Sequence, residues 1–204
     1  SVSVENSGYI GSKDGEGVVS GTTVGGTTIK VSTFDQLQGL ALASTIGADV
    51  NGKTIELTND IDLTGKDWKP FGFDSTNVFS GTIDGKGHTI KGLSPNGYNP
   101  TTIVENVTNQ AKGVAYGFIC IAKDATVKNI NFVDVNIAIE NGLAVGAVVG
   151  DARGKNLTIE NVTVSGSVSA MDKVGGFVGL AGYNGSENFA LTIKNSTNNA
   201  NITA

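Results

Sequence analysis

One cysteine, one histidine, one tryptophan and three prolines occur in 204 residues, and each scarcity removes a class of chemistry. A lone Cys120 allows no internal disulfide. With the lone His88 it supplies too few strong ligands for a zinc or similar metal site. A Ser-His-Asp hydrolase would have to use His88, and no G-x-S-x-G elbow occurs. Charge is also sparse, at 16% of residues, where an average domain has roughly 25%. The 14 Lys and Arg stand singly under a net charge of −5. That argues against nucleic acid, whose phosphates need clustered cations. No run reaches the ~18 apolar residues of a membrane span.

What remains is rich in Gly (29 residues), Asn and Thr, with 39% hydrophobic residues. That is enough apolar material for one core, built from short strands joined by tight turns. The expected organisation is one all-β domain over residues 1–204. Residues 1–32 read as N-terminal strands (SVSV, GVVSG, TTIKVS) and 33–46 as the only helix. In TFDQLQGLALASTI, Thr33 and Gln36 make a capping box, each side chain satisfying the other's free backbone N–H. Phe34, Leu37, Leu40 and Ala41 form one apolar stripe, as expected of a helix that plugs the open end of a strand stack. Rungs are expected over 50–204, with KTIELT, IDL and FSGTIDGKGHTIKGL as the first strands. Residues 94–113 hold two of the three prolines without clean periodicity and read as a loop or insertion.

The C-terminal half repeats. Segments starting at Ala115, Val145 and Val174 each carry a Gly-bearing apolar strand, a turn and a T-[VI]-[KE]-N element, at Thr126–Asn129, Thr158–Asn161 and Thr192–Asn195. The starts differ by about 30 residues, a solenoid period. One such unit cannot bury its own apolar face and must stack on its neighbours. Phe118, Val148 and Val178 are expected in equivalent core positions, with Ile119, Val149 and Gly179 one step on. Phe177, Ile130, Val162 and Ile193 are expected to be buried with them. Gly117, Gly146 and Gly175/Gly176 suit tight corners, and Asn129, Asn161 and Asn195 suit a rung-to-rung amide ladder. Cys120, within YGFICIA, reads as a buried thiol.

The rungs VGGFVGLAGY and VGAVVGDARG resemble the GLUG motif, a Gly-rich repeat of bacterial surface proteins. STFDQLQGLA, GKTIELTNDIDL, DWKPFG and FSGTIDGKGHTIKGL resemble the rungs that precede such repeats, so the resemblance covers about residues 32–204. It implies a pectin-lyase-like right-handed parallel β-helix. It also implies a non-enzymatic scaffold or adhesin-like module of a secreted bacterial protein, at the cell surface, meeting a surface glycan or protein. The alternatives are a carbohydrate-binding module or a glycan-active β-helix enzyme. LTIKNSTNNANITA carries no capping element, so the array is expected to continue into further repeats.

No catalytic, metal or cofactor residue is assigned. Asp60 and Asp62 share a strand side in NDIDL, with Asp84 one rung on. Such acids could bind Ca²⁺ or act as an acid/base pair, but the expected role is turn formation. His88 is expected to cap a turn. GTIDGKG lacks the strand–GxxxxGK[ST]–helix setting of a nucleotide loop. Trp68, Phe71 and Phe73 could offer a sugar platform, although packing against helix 33–46 is expected instead. The sequons at Asn106, Asn156, Asn161, Asn184, Asn195 and Asn201 reflect Asn/Thr-rich turns.

Overall fold

The computed structural model describes residues 2–3, 27–45, 50–105, 111–182 and 188–204. It is a parallel β-solenoid built around one column of short strands. β1 (Val2–Ser3) pairs with β2 (Thr28–Val31), followed in the stack by β3 (Thr54–Leu57) and β5 (Thr82–Asp84). β9 (Ile119–Ile139), β11 (Val149–Ala170) and β14 (Ala190–Lys194) complete it. The register is a T-[IV]-[KED] triplet repeated six times. Thr28, Thr54, Thr82, Thr126, Thr158 and Thr192 stack, and the next residues, Ile29, Ile55, Ile83, Val127, Ile159 and Ile193, form the column beside them. Alternation in a strand turns the middle residue inward, and the first five of that column are at most 1% exposed. Equivalent side chains of neighbouring rungs lie about 4.8 Å apart.

A second face stacks β4 (Ile61–Asp62), β6 (Thr89–Lys91), the middle of β9 and β11, and β15 (Thr197–Asn198). A third joins the ends of β9 and β11 to β16 (Asn201–Thr203). β9 turns these corners without leaving the ladder, because Asp124, Asn129 and Asp134 take positive φ at five-residue intervals. Asn and Asp enter this left-handed conformation more readily than other residues with a Cβ. β7 (Ile103–Glu105), β8 (Lys112–Tyr116), β10 (Gly142–Gly146) and β12 (Lys173–Gly175) form a separate four-stranded sheet.

Chain that does not fit a rung is carried between rungs. α1 (Phe34–Thr45) lies between β2 and β3, so it follows the first Thr-Ile rung rather than preceding the array. Its capping box forms as the sequence requires: Gln36 N–H donates to Thr33 Oγ1, and Thr33 N–H to Gln36 Oε1, both at 3.2 Å. Leu37, Leu40 and Ala41 join the main core, and Gln38 brackets Lys69 through both of its backbone groups. The 94–113 segment is not all loop. Its β7 pairs antiparallel with β8, which adds an edge strand to the smaller sheet. The hairpin covers a second apolar cluster of Val104, Ala115, Cys120, Ile121, Leu143 and Ala144.

The alignment of the third Gly-rich repeat needs moving by one residue. Val149 pairs with both Ile119 and Val178, so Val178 belongs in the Ile119/Val149 column and Phe177 beside Phe118 and Val148. Phe118, Val148, Ile130 and Val162 are buried as expected, whereas Phe177 and Val178 are half-buried and Ile193 is 42% exposed. β14 pairs only with β11, which leaves one side of Ile193 uncovered. At the Gly corners a methyl group has no room. A Cβ on Gly146 would stand 2.5 Å from Val149 O and 2.7 Å from Phe177 O.

Candidate functional site

The three acids singled out from sequence are brought to neighbouring rungs, and each accepts from a backbone N–H. Asp60 Oδ1 accepts from Thr89 N–H (2.9 Å) and lies 3.1 Å from His88 Nδ1. Asp62 Oδ1 accepts from Thr64 N–H, and Asp84 Oδ1 from Lys86 N–H and Asn129 Nδ2. The Thr89 amide, helped by His88, holds Asp60 below the usual carboxylate range, and Thr64 does the same for Asp62. For Asp62 and Asp84 the bonds to the second residue on are the local ones by which Asp builds turns, whereas Asp60 instead ties its rung to the next one, 29 residues on. Among the described residues no cluster of three or more His, Cys, Asp or Glu could hold a metal ion.

The expected amide ladder forms in part, between Asn129 and Asn161, and runs on to Asp84 rather than to Asn195. Asn161 Nδ2 donates to Asn129 Oδ1 (3.0 Å), and Asn129 Nδ2 donates onward to Asp84 (3.1 Å). Asn195 shares their left-handed backbone, with φ 49° beside 55° and 52°. At that last step the link is Val162 N–H donating to Ser196 Oγ. Outward residues of the second face continue the pattern, with Thr163 Oγ1 donating to Asn131 Oδ1 (2.7 Å). Beside this ladder lies a groove of about 420 Å³ lined by Lys86, Gly87, Asn129, Ile130, Asn131 and Asn161. Its wall is the turn Gly85–His88, closed by His88 N–H donating to Gly85 O (2.8 Å). That corner has four residues between the register positions Asp84 and Thr89, whereas the next rung has two between Lys128 and Asn131, so the turn overhangs.

Trp68 and Phe71 are fully buried and cannot meet a sugar from solvent. Trp68 stacks on Phe118 (centroids 5.0 Å, planes 5° apart), and Phe71 tilts against both rings; both lie in one core with Leu37, Leu40 and Ala41 of the helix. The polar edges are satisfied inside the core: Trp68 Nε1 donates to Phe118 O, and Tyr116 Oη to Trp68 O. Phe73 is half-buried, and its carbonyl accepts from Thr102 Oγ1. Cys120 is buried, and burial pushes its thiol up to about 12. Of the sequons, Asn106 and Asn184 lie outside the described residues.

Sequence reasoning missed Asp151. It occupies an apolar column between Ile121 and Leu180, is fully buried, and receives Arg153 Nε on Oδ2 at 2.9 Å, while Oδ1 has no partner. Burial raises its pKa against the opposing pull of Arg153. The legible signal was an acid in VVGDA where the other repeats read FICIA and FVGLA.

Short parallel rungs, asparagine corners and an outward polar lattice define a β-solenoid of the pectate-lyase-like architecture. A family model described as "Putative pectate lyase-like adhesive domain" matches residues 28–203, and the chain belongs to this family. It is also 30% identical over 138 residues to Halomucin of Haloquadratum walsbyi, a match that covers 66% of this chain and 1% of that protein. No solved structure matches the chain. Among the described residues no helix is long and apolar enough to cross a membrane.

Proposed function

We propose that this chain is a non-enzymatic adhesive module displayed at a cell surface, with no catalytic, metal or cofactor residue. The observation that carries this reading is the engagement of all three acids by backbone amides, Asp62 and Asp84 by their own turns and Asp60 by Thr89 of the next rung. Asp60 and Asp62, held below the usual range by backbone amides, are poor general acids, and a lyase or hydrolase needs a separate base and a charge-neutralising group. Membership of an adhesive family supports the reading from an independent side. So does the lattice itself, which repeats the same polar groups rung after rung, as a surface that holds rather than turns over a polymer would.

The finer extension rests on the Gly-rich rungs VGAVVGDARG and VGGFVGLAGY, which resemble the GLUG repeats of exported bacterial surface proteins. On that extension the module is secreted, its partner is a surface glycan or protein, and further repeats flank it. The corner groove favours a carbohydrate-binding role as the second reading. The test pairs two assays on the purified chain. Adhesion to cell layers is measured beside release of reducing ends from pectin, polygalacturonate and peptidoglycan. Adhesion without turnover is expected, and turnover abolished by Asp84→Asn would overturn the proposal.

A further inference from the structure

Eight described residues other than Gly adopt positive φ. Seven are Asn or Asp, which tolerate that conformation, and the eighth is Lys86 at φ 53°. With Gly87 at φ 87°, Lys86 forms the centre of a turn in which both middle residues are left-handed. Asn-Gly or Asp-Gly is the relaxed choice for such a turn. A lysine there costs backbone energy that an asparagine would not. It also gains nothing from packing, because its side chain is exposed. Strain of this kind is retained where the side chain itself is needed.

The side chain in question stands on the wall of the corner groove. Among the described residues no partner takes Lys86 Nζ, Asn131 Nδ2 or Asn161 Oδ1, so one ammonium, one amide donor and one amide acceptor line the same space. The acids of this corner are already engaged: Asp84 by Lys86 N–H and Asn129, Asp60 by Thr89 N–H and His88. A donor and an acceptor side by side suit sugar hydroxyls, and a free ammonium suits an anion. A volume of about 420 Å³ admits one or two sugar rings.

We infer that this groove is a subsite for an acidic saccharide, with Lys86 on the carboxylate or sulfate and the Asn131 and Asn161 amides on ring hydroxyls. The assignment deepens the adhesive reading and rests on it. The probes are immobilised alginate, dextran sulfate and uncharged dextran, with wild type, Lys86→Arg and Lys86→Asn compared. The wild type should bind at least one acidic polymer, increasingly weakly as salt rises, and not dextran. Binding only to alginate identifies a carboxylate, and only to dextran sulfate a sulfate. Lys86→Arg should retain binding, and Lys86→Asn should lose about tenfold or more, the scale of one charge-assisted hydrogen bond. Lys86→Asn should nonetheless melt no lower than wild type, which separates lost recognition from lost folding. Equal binding by Lys86→Asn, equal binding to dextran, or no binding to either acidic polymer would overturn the subsite. Adhesion to cells that is unchanged by Lys86→Asn would then leave the adhesive reading standing, while absence of adhesion by the wild type would remove that reading as well.

Discussion

Replacing Gly146 by alanine tests the corner geometry, because the penalty has a single source. Gly146 does not have positive φ, so alanine meets no backbone strain there. Its Cβ would meet two carbonyl oxygens, at 2.5 and 2.7 Å, on Val149 and Phe177. Both belong to backbone, one on the same rung and one on the next, so neither can swing aside as a side-chain end would. Overpacking of a well-filled interior costs roughly 1–3 kcal/mol, and two rigid neighbours place Gly146→Ala at about 3 kcal/mol. Gly87 offers the opposite case, with φ 87° and nothing within 4 Å of the added Cβ. Gly87→Ala should cost only the left-handed backbone, about 1 kcal/mol. Gly166 combines both penalties, with φ 118° and Val135 O 2.1 Å from the added Cβ, and should cost the most. Urea unfolding of the three variants should give the order Gly87→Ala, Gly146→Ala, Gly166→Ala, from mildest to most severe. A Gly87→Ala loss equal to or larger than that of Gly146→Ala would refute the claim that the corners are tight through close approach of rungs.

Val148→Ala removes two methyl groups from a fully buried site, and chemical denaturation should register a loss of about 2 kcal/mol. Asn129→Ala and Asn161→Ala both place alanine at left-handed φ, 55° and 52°, but the first breaks two ladder bonds and the second one, so Asn129→Ala should be the more destabilising in the same assay. Asp60 and Asp62 have lowered folded-state pKa values, so their contribution to stability is present above the unfolded value near 3.8 and is lost as pH falls through the folded values. The substitutions Asp60→Asn and Asp62→Asn should therefore flatten the acid limb of a melting-temperature profile. The raised pKa of Asp151 acts with the opposite sign, favouring the folded state at low pH and losing that benefit as pH rises from about 4. Cys120, pushed up to about 12 and buried, should react with a thiol reagent only as fast as the protein unfolds.

The stacking was legible where rungs follow at regular length. T-[VI]-[KE]-N at Thr126, Thr158 and Thr192 marked three rungs, and the pairing places all three in one column. The same triplet at Thr28, Thr54 and Thr82 went unread as a repeat because α1 fills the first interval with helix and the β7–β8 hairpin lengthens the step from Thr82 to Thr126. Period counting fails when insertions sit between equivalent strands, although register is unaffected. The one-residue error at Val178 arose from two adjacent apolar residues, Phe177 and Val178, either of which fits an inward position by hydrophobicity alone. Trp68 and Phe71 could be read as core, but the contacts both make with Phe118, about fifty residues on in the chain, are a product of tertiary pairing. At the groove, nothing in the string GTIDGKG singles out Lys86. Its significance depends on a backbone angle that composition cannot report.

The in-register ladder can be measured directly with pairs of spin labels on outward positions of the threonine column, in a Cys120→Ala background. Thr28 and Thr192 stand five rungs apart, Thr54 and Thr192 four, and Thr82 and Thr192 three. At about 4.8 Å per rung, the three separations should be roughly 24, 19 and 14 Å before linker length is added, and should fall by one equal step from pair to pair. Distances that do not fall in that order, or that differ between successive pairs by much more than one rung, would contradict a continuous parallel solenoid.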